Sequence, residues 1–113
     1  MAEVTPTPDA KDVAENKVFA ILAYFGILFL IPLFAAKESP FARFHTNQGL
    51  NLFLTQIAVW IIVLILSLIS SILGMIGSIL YLGMFILFIL GVINAAKGEM
   101  KELPLIGKFR LIK

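Results

Sequence analysis

The interior of this chain offers little chemistry beyond uncharged hydrogen-bonding side chains, and these are not scattered. At 100° per residue, Asn47, Gln48, Asn51 and Thr55 fall in one sector of a helix, with Phe44 on the same face. A further amide, Asn94, shares a face with Gly91, Ala95 and Gly98, a small-residue spacing that lets two backbones approach closely. Unpartnered amides are costly in an apolar medium, so both faces must point into protein or toward an aqueous path. The two readings are interhelical bonding and the wall of a pathway. The expected bond runs from Asn94 to Asn51 or Gln48.

Catalysis lacks its usual parts. No carboxylate pair, Ser–His–Asp order or metal-ligand cluster accompanies the amides. His45 is the single side chain that titrates near neutral pH, and one histidine without a neighbouring carboxylate points to interfacial hydrogen bonding rather than to a metal or proton relay. Glu38, Glu99 and Glu102 stand beside Lys or Arg, where exposed ion pairs are the ordinary outcome. The absence of cysteine excludes disulfides, thiolate metal sites and cysteine nucleophiles. The expectation is a non-enzymatic chain without cofactor or metal. A net charge of +2 gives no basis for nucleic-acid binding.

The elements that hold these residues follow from composition. Of 113 residues 60% are hydrophobic and 14% charged, with mean hydropathy +1.01. Soluble domains average about 45–50% apolar and about 25% charged, and one this small could not hide so many Ile, Leu and Phe side chains. The fold class expected is all-α, an integral membrane protein of three transmembrane helices. Residues 18–36 carry no formal charge and as a helix would measure about 28 Å, near the roughly 30 Å of a bilayer core. Pro32 would kink the last turn of that span. From Arg43 to Lys97 no charged residue intervenes, which fits two spans near 48–70 and 78–96. Ser70, Ser71, Gly74, Gly77 and Ser78 mark the turn between them. Ser39-Pro40 reads as a helix start ahead of the second span, with Phe41 and Phe44 dipping into the interface around Arg43. Residues 1–16 read as a polar tail able to turn helical from Asp9 or Lys11 onward, and residues 17–113 as one membrane domain.

Charge sets the orientation. With three spans, Lys11 and Lys17 fall on one side, and Lys37, Arg43, Lys97, Lys101, Lys108, Arg110 and Lys113 on the other. Basic flanks stay cytoplasmic, which predicts the N-terminus outside and the C-terminus inside. In a competing arrangement the first apolar stretch re-enters or lies in the interface, leaving a two-span hairpin with both ends inside. Arg43, His45, Lys97, Lys101, Lys108 and Arg110 are the expected headgroup contacts, and the tail after Leu103 mixes apolar and basic residues as interfacial segments do.

The segments SPFARFHTNQGLN (39–51) and GVINAAKGEMKELPLIGK (91–108) resemble small bacterial membrane proteins of a domain of unknown function. That group is similar to the twenty-kilodalton component of the chloroplast inner-envelope protein translocon. The resemblance implies a polytopic helical protein, with roles among relatives from protein import to magnetosome-membrane maturation. The chain departs from the chloroplast protein in lacking a transit peptide and a fourth span, which favours a prokaryotic cytoplasmic membrane. The resulting expectation is an assembly subunit whose partners are the lipid bilayer, further copies of itself or other membrane proteins. The rival expectation is an oligomeric transporter or channel lined by the Asn47–Gln48–Asn51–Thr55 stripe.

Overall fold

The computed structural model describes residues 9–111, whose regular structure is entirely helical. Asp9 starts α1 (Ala10–Leu22) by accepting a hydrogen bond from the Asp12 amide. The helix therefore begins inside the segment expected to be a polar tail, of which residues 1–8 lie outside the described residues.

α1 does not continue as a span. At Phe25 the backbone leaves helical geometry, and Gly26 takes φ +62°, a left-handed value that a side chain would oppose. A 3-10 turn (Gly26–Phe29) and α2 (Leu30–Ala35) then carry the chain back. The return is complete, because Ser39 meets Asp12 and an open groove runs between residues 9–16 and 34–40. The first apolar stretch is thus a broken helical loop that folds back on itself, re-entrant in shape, against α3 and α5. Among the described residues two helices, not the expected three, are long and apolar enough to cross a bilayer: Pro40–Ile69, and Ser71–Ala96 taken as one. Length alone misled, since residues 18–36 match a span in extent but are divided at Gly26, and Pro32 lies inside the returning arm.

α3 (Pro40–Ile69) is capped by two side chains. Ser39 Oγ accepts from the Ala42 amide at 3.0 Å, and the Asp12 carboxylate accepts from the Phe41 amide at 3.0 Å and from the Ser39 hydroxyl. At about 45 Å, α3 is longer than the bilayer core. It ends at Ser70, a single extended residue (φ −161°, ψ 139°) whose side chain accepts from the Ile72 amide. The chain reverses there, into α4 (Ser71–Gly77) and α5 (Ile79–Ala96). Gly74 and Gly77 belong to the packed helix rather than to the turn. A Cβ on Gly74 would stand 2.3 Å from Ser67 Oγ, and one on Gly77 2.8 Å from Leu66 Cδ1.

α5 stops at Gly98 (φ +75°) in a Schellman motif. The Gly98 amide bonds Ala95 O at 3.1 Å and the Glu99 amide bonds Asn94 O at 2.9 Å. Residues 99–111 then cross the end of the bundle where α1 begins and α2 ends. Only 17% of each candidate span's apolar window is buried within the chain, so these helices do not form the core of a soluble domain. Their exposed Ile, Leu and Phe surface is suited to lipid.

Candidate functional site

The first three turns of α3 build the polar site. His45, Gln48 and Asn51, three apart, are buried on one face and directed at the backbone of residues 99–109. Gln48 grips both ends of one turn. Its Nε2 donates to Gly107 O at 2.7 Å, and its Oε1 accepts from the Leu103 amide at 2.9 Å. The turn closes through Gly107 N to Leu103 O at 3.0 Å. A Cβ on Gly107 would come within 2.4 Å of Leu103 N, so glycine is required by space. Asn51 extends the contact by donating to Ile106 O at 3.0 Å and Phe109 O at 2.7 Å.

His45 joins three segments. Its Nε2 is 2.7 Å from Glu99 O, and its Nδ1 is 2.6 Å from the Tyr24 hydroxyl. A carbonyl oxygen only accepts, so Nε2 carries a proton, and in the neutral ring the Tyr24 hydroxyl donates to Nδ1. The rings of Tyr24, Phe41 and Phe44 meet the imidazole edge-on at 4.9–5.5 Å. Two close approaches hold Tyr24 in place. A Cβ on Gly91 would lie 2.3 Å from its ring, and one on Gly49 would lie 1.8 Å from Ala23 O. The small-residue face of α5 therefore receives the re-entrant loop.

The tail is tied down from outside as well. Arg110 pairs with Glu102 at 2.6 Å, donates to Gly107 O, and lies over the Phe44 ring at 5.2 Å. Leu105, at the tip of the turn with φ +72°, is 89% exposed, and Phe109 and Leu111 are exposed beside Lys108.

Several expectations are corrected by this geometry. His45 has no exposed surface and makes no headgroup contact, because α1 and the tail cover it. Phe41 and Phe44 are buried around it rather than dipping into the interface. Asn94 does not reach Asn51 or Gln48. It approaches Lys101 O at 3.4 Å, while Gln48 and Asn51 are occupied by the tail. Thr55 and Asn47 bond within α3, to Asn51 O at 2.7 Å and Arg43 O at 3.4 Å. Lys97, Lys101 and Lys108 are exposed at the charged end, Lys101 within 3.5 Å of Glu99, and Arg43 is half-buried there.

Asp12, Tyr24, Gly49 and Gly107 were not singled out from sequence. Asp12 carried the most usable signal, an acid on an amphipathic segment ahead of a Ser-Pro helix start. Partial burial pushes its carboxyl up, but hydrogen bonds from Ser39, the Phe41 amide and Asn16 together outweigh this and hold it below the usual carboxylate value. No group of three His, Asp or Glu side chains positioned to hold a metal occurs among the described residues.

An all-helical chain with two bilayer-length apolar helices, and polar groups bonded mainly to its own backbone, is a small helical membrane protein. The model of the magnetosome magnetite crystal formation protein family matches residues 15–110, and the chain belongs to that family. The magnetosome protein MamF of Paramagnetospirillum magneticum is 30% identical over 96 residues, covering 81% of this chain and 79% of that protein. No solved structure matches the chain. The resemblance to the chloroplast translocon component is overturned, because the segments that carried it, 39–51 and 91–108, lie within the magnetosome-family match. Membership sets the chain among proteins of crystal formation rather than among known enzymes.

Proposed function

We propose that the chain is a non-enzymatic component of the membrane that surrounds a growing magnetite crystal, acting in crystal formation through assembly with itself or with other membrane proteins. The observation that carries this reading is the family match, which runs from within α1 through both long helices to the tail clamp. The proposed topology is a two-span hairpin with the re-entrant loop opening on the side of both chain ends. No charged residue occurs between Arg43 and Lys97, so the Ser70 end carries none and the other end carries all. The positive-inside rule then makes the charged end cytoplasmic. There Arg43, Lys97, Lys101, Lys108 and Arg110 meet anionic headgroups, and Leu105, Phe109 and Leu111 enter the interface. In that orientation the face toward the crystal is only the short Ser70–Ser71 turn. The influence on mineral growth therefore runs through the membrane and its cytoplasmic partners, not through an acidic mineral-binding surface. The rival reading, a pathway along the Asn/Gln stripe, is disfavoured because Gln48 and Asn51 are engaged by the tail.

Two measurements test this. Single cysteines at Lys11, Lys101 and Ser71, probed with an impermeant thiol reagent, are expected to label Lys11→Cys and Lys101→Cys from the same side and Ser71→Cys from the other. Opposite labelling of Lys11→Cys and Lys101→Cys would restore the three-span arrangement. Expression in Paramagnetospirillum magneticum lacking its own relative is expected to place the chain in crystal-containing membranes and to restore normal crystal formation. Exclusion from those membranes would sink the assignment.

A further inference from the structure

Where the re-entrant loop breaks, it leaves a cavity of about 330 Å³ between the loop, α3 and α5. Phe25, Phe53, Phe88 and Met84 wall it, with the Phe25 and Phe88 rings edge-to-face at 5.0 Å. Its polar side chains are Tyr24, whose hydroxyl is committed to His45 Nδ1, and Gln56 and Tyr81. Neither of the last two makes a hydrogen bond among the described residues, in contrast to Gln48 and Asn51 on α3. Gln56 stands roughly 24 Å along α3 from Pro40 and roughly 20 Å from Ile69, which puts it near mid-bilayer. An amide held at that depth beside an open aromatic cavity calls for an occupant with a hydrogen-bonding atom. Phospholipid ester carbonyls sit at the edges of the hydrocarbon core, roughly 15 Å from the midplane, and acyl chains bring no polar atom. Flat apolar walls with one amide and one hydroxyl fit a lipophilic ring that carries carbonyl or hydroxyl oxygens.

We propose that this cavity binds the ring of a membrane-soluble quinone, with Gln56 and Tyr81 bonded to its oxygens and the phenylalanine rings packed on its faces. The site requires only that α3 and α5 lie in lipid, so it rests on the two-span placement and adds a ligand to it. Trp60, the chain's single tryptophan, is one turn from Gln56 and gives a readout. The full-length protein in phosphatidylcholine nanodiscs is titrated with duroquinone while Trp60 emission is followed. Saturable quenching is expected, weakened at least tenfold in Gln56→Leu, weakened less in Tyr81→Phe, and not reversed by durene, the same ring without oxygens. Gln56→Leu replaces an unpaired amide by an apolar group in lipid, so its melting point should be unchanged, and Tyr81→Phe provides a second variant. Linear collisional quenching that is equal in wild type and Gln56→Leu, or full reversal by durene, would overturn the proposal. Such a failure with the cysteine pattern intact would leave the two-span reading standing.

Discussion

Within the first three turns of α3, His45, Thr46 and Gln48 have no exposed surface, whereas Trp60 and Leu68 further along the same helix are 68% and 78% exposed. One helix thus serves two regions held together by different forces. The first is a head, where α1, the re-entrant loop and the tail converge and side-chain amides bond to backbone. The second is a leg, where α3 runs against α4 and α5 through small residues such as Gly74 and Gly77. In the head almost every polar group has a directional partner, so geometry is specified residue by residue. In the leg the outer surface has only to be apolar, because lipid is as good a solvent for Leu as another helix is. The difference teaches where substitutions should matter: the head should be brittle and the leg tolerant.

The largest effect should come from Gly49→Ala in the head. A Cβ there would fall 1.8 Å from the Ala23 carbonyl, a backbone atom that cannot move without carrying α1 away. A loss of about 3 kcal/mol is expected, at the upper end of overpacking penalties. It should appear as a lowered melting temperature in detergent and as loss of protection around Tyr24 in hydrogen exchange. A neutral result would mean that the loop is not docked as described.

Gln48→Leu should come next, at about 2 kcal/mol, since it strands the Leu103 amide and leaves the Gly107 carbonyl with the Arg110 guanidinium alone. Protease cleavage after Lys108 should accelerate as the tail is released, with no change at the Ser70 turn. If the tail stays protected, the clamp is less central than its geometry implies.

How much of this contrast was readable in advance differs between the regions. The leg was legible, because a charge-free Ile/Leu-rich run announces membrane helix whatever its detailed packing. The stripe of Asn47, Gln48, Asn51 and Thr55 was also visible, since helical periodicity places side chains without knowing their partners. Those partners were hidden. Gln48 and Asn51 bind the backbone of Leu103, Ile106, Gly107 and Phe109, and a backbone amide looks the same at every position in a sequence. Asn94 is the side-chain amide that α5 presents near the same end, so residue types alone pair it with Asn51 or Gln48. The re-entrant loop was hidden for a related reason. Its length equals that of a span, and the break depends on one residue, Gly26, while Gly49, Gly74, Gly77, Gly83 and Gly91 stay helical.

A smaller effect, about 1 kcal/mol, is expected where the head starts, from Asp12→Ala at the shared cap of α3. This one carries a pH signature. The Asp12 carboxyl is held below its unfolded value, so its contribution is present above the ordinary carboxylate range. It is lost as pH falls through the lowered folded value, when the protonated group can no longer accept from both Ser39 and Phe41. Protection of the Phe41 and Ala42 amides against exchange, taken relative to the intrinsic rate at each pH and followed downward from neutral, should fall through that window in the wild type and stay flat in Asp12→Ala. An identical profile in both would assign the cap to Ser39 alone.

The smallest effect is the one that most sharpens the contrast. Leu64→Ala removes a large side chain from the exposed face of the leg, yet in lipid it should cost less than about 0.5 kcal/mol, because acyl chains take its place. The same substitution at buried Leu52, in the head, should cost about 2 kcal/mol or more through the cavity it leaves. Comparing the two in thermal melts in one nanodisc lipid isolates burial by protein from burial by bilayer. A large loss at Leu64 would mean that the outer face of α3 is covered by protein in the membrane, and a second copy of the chain would be the first partner to look for by crosslinking from that position.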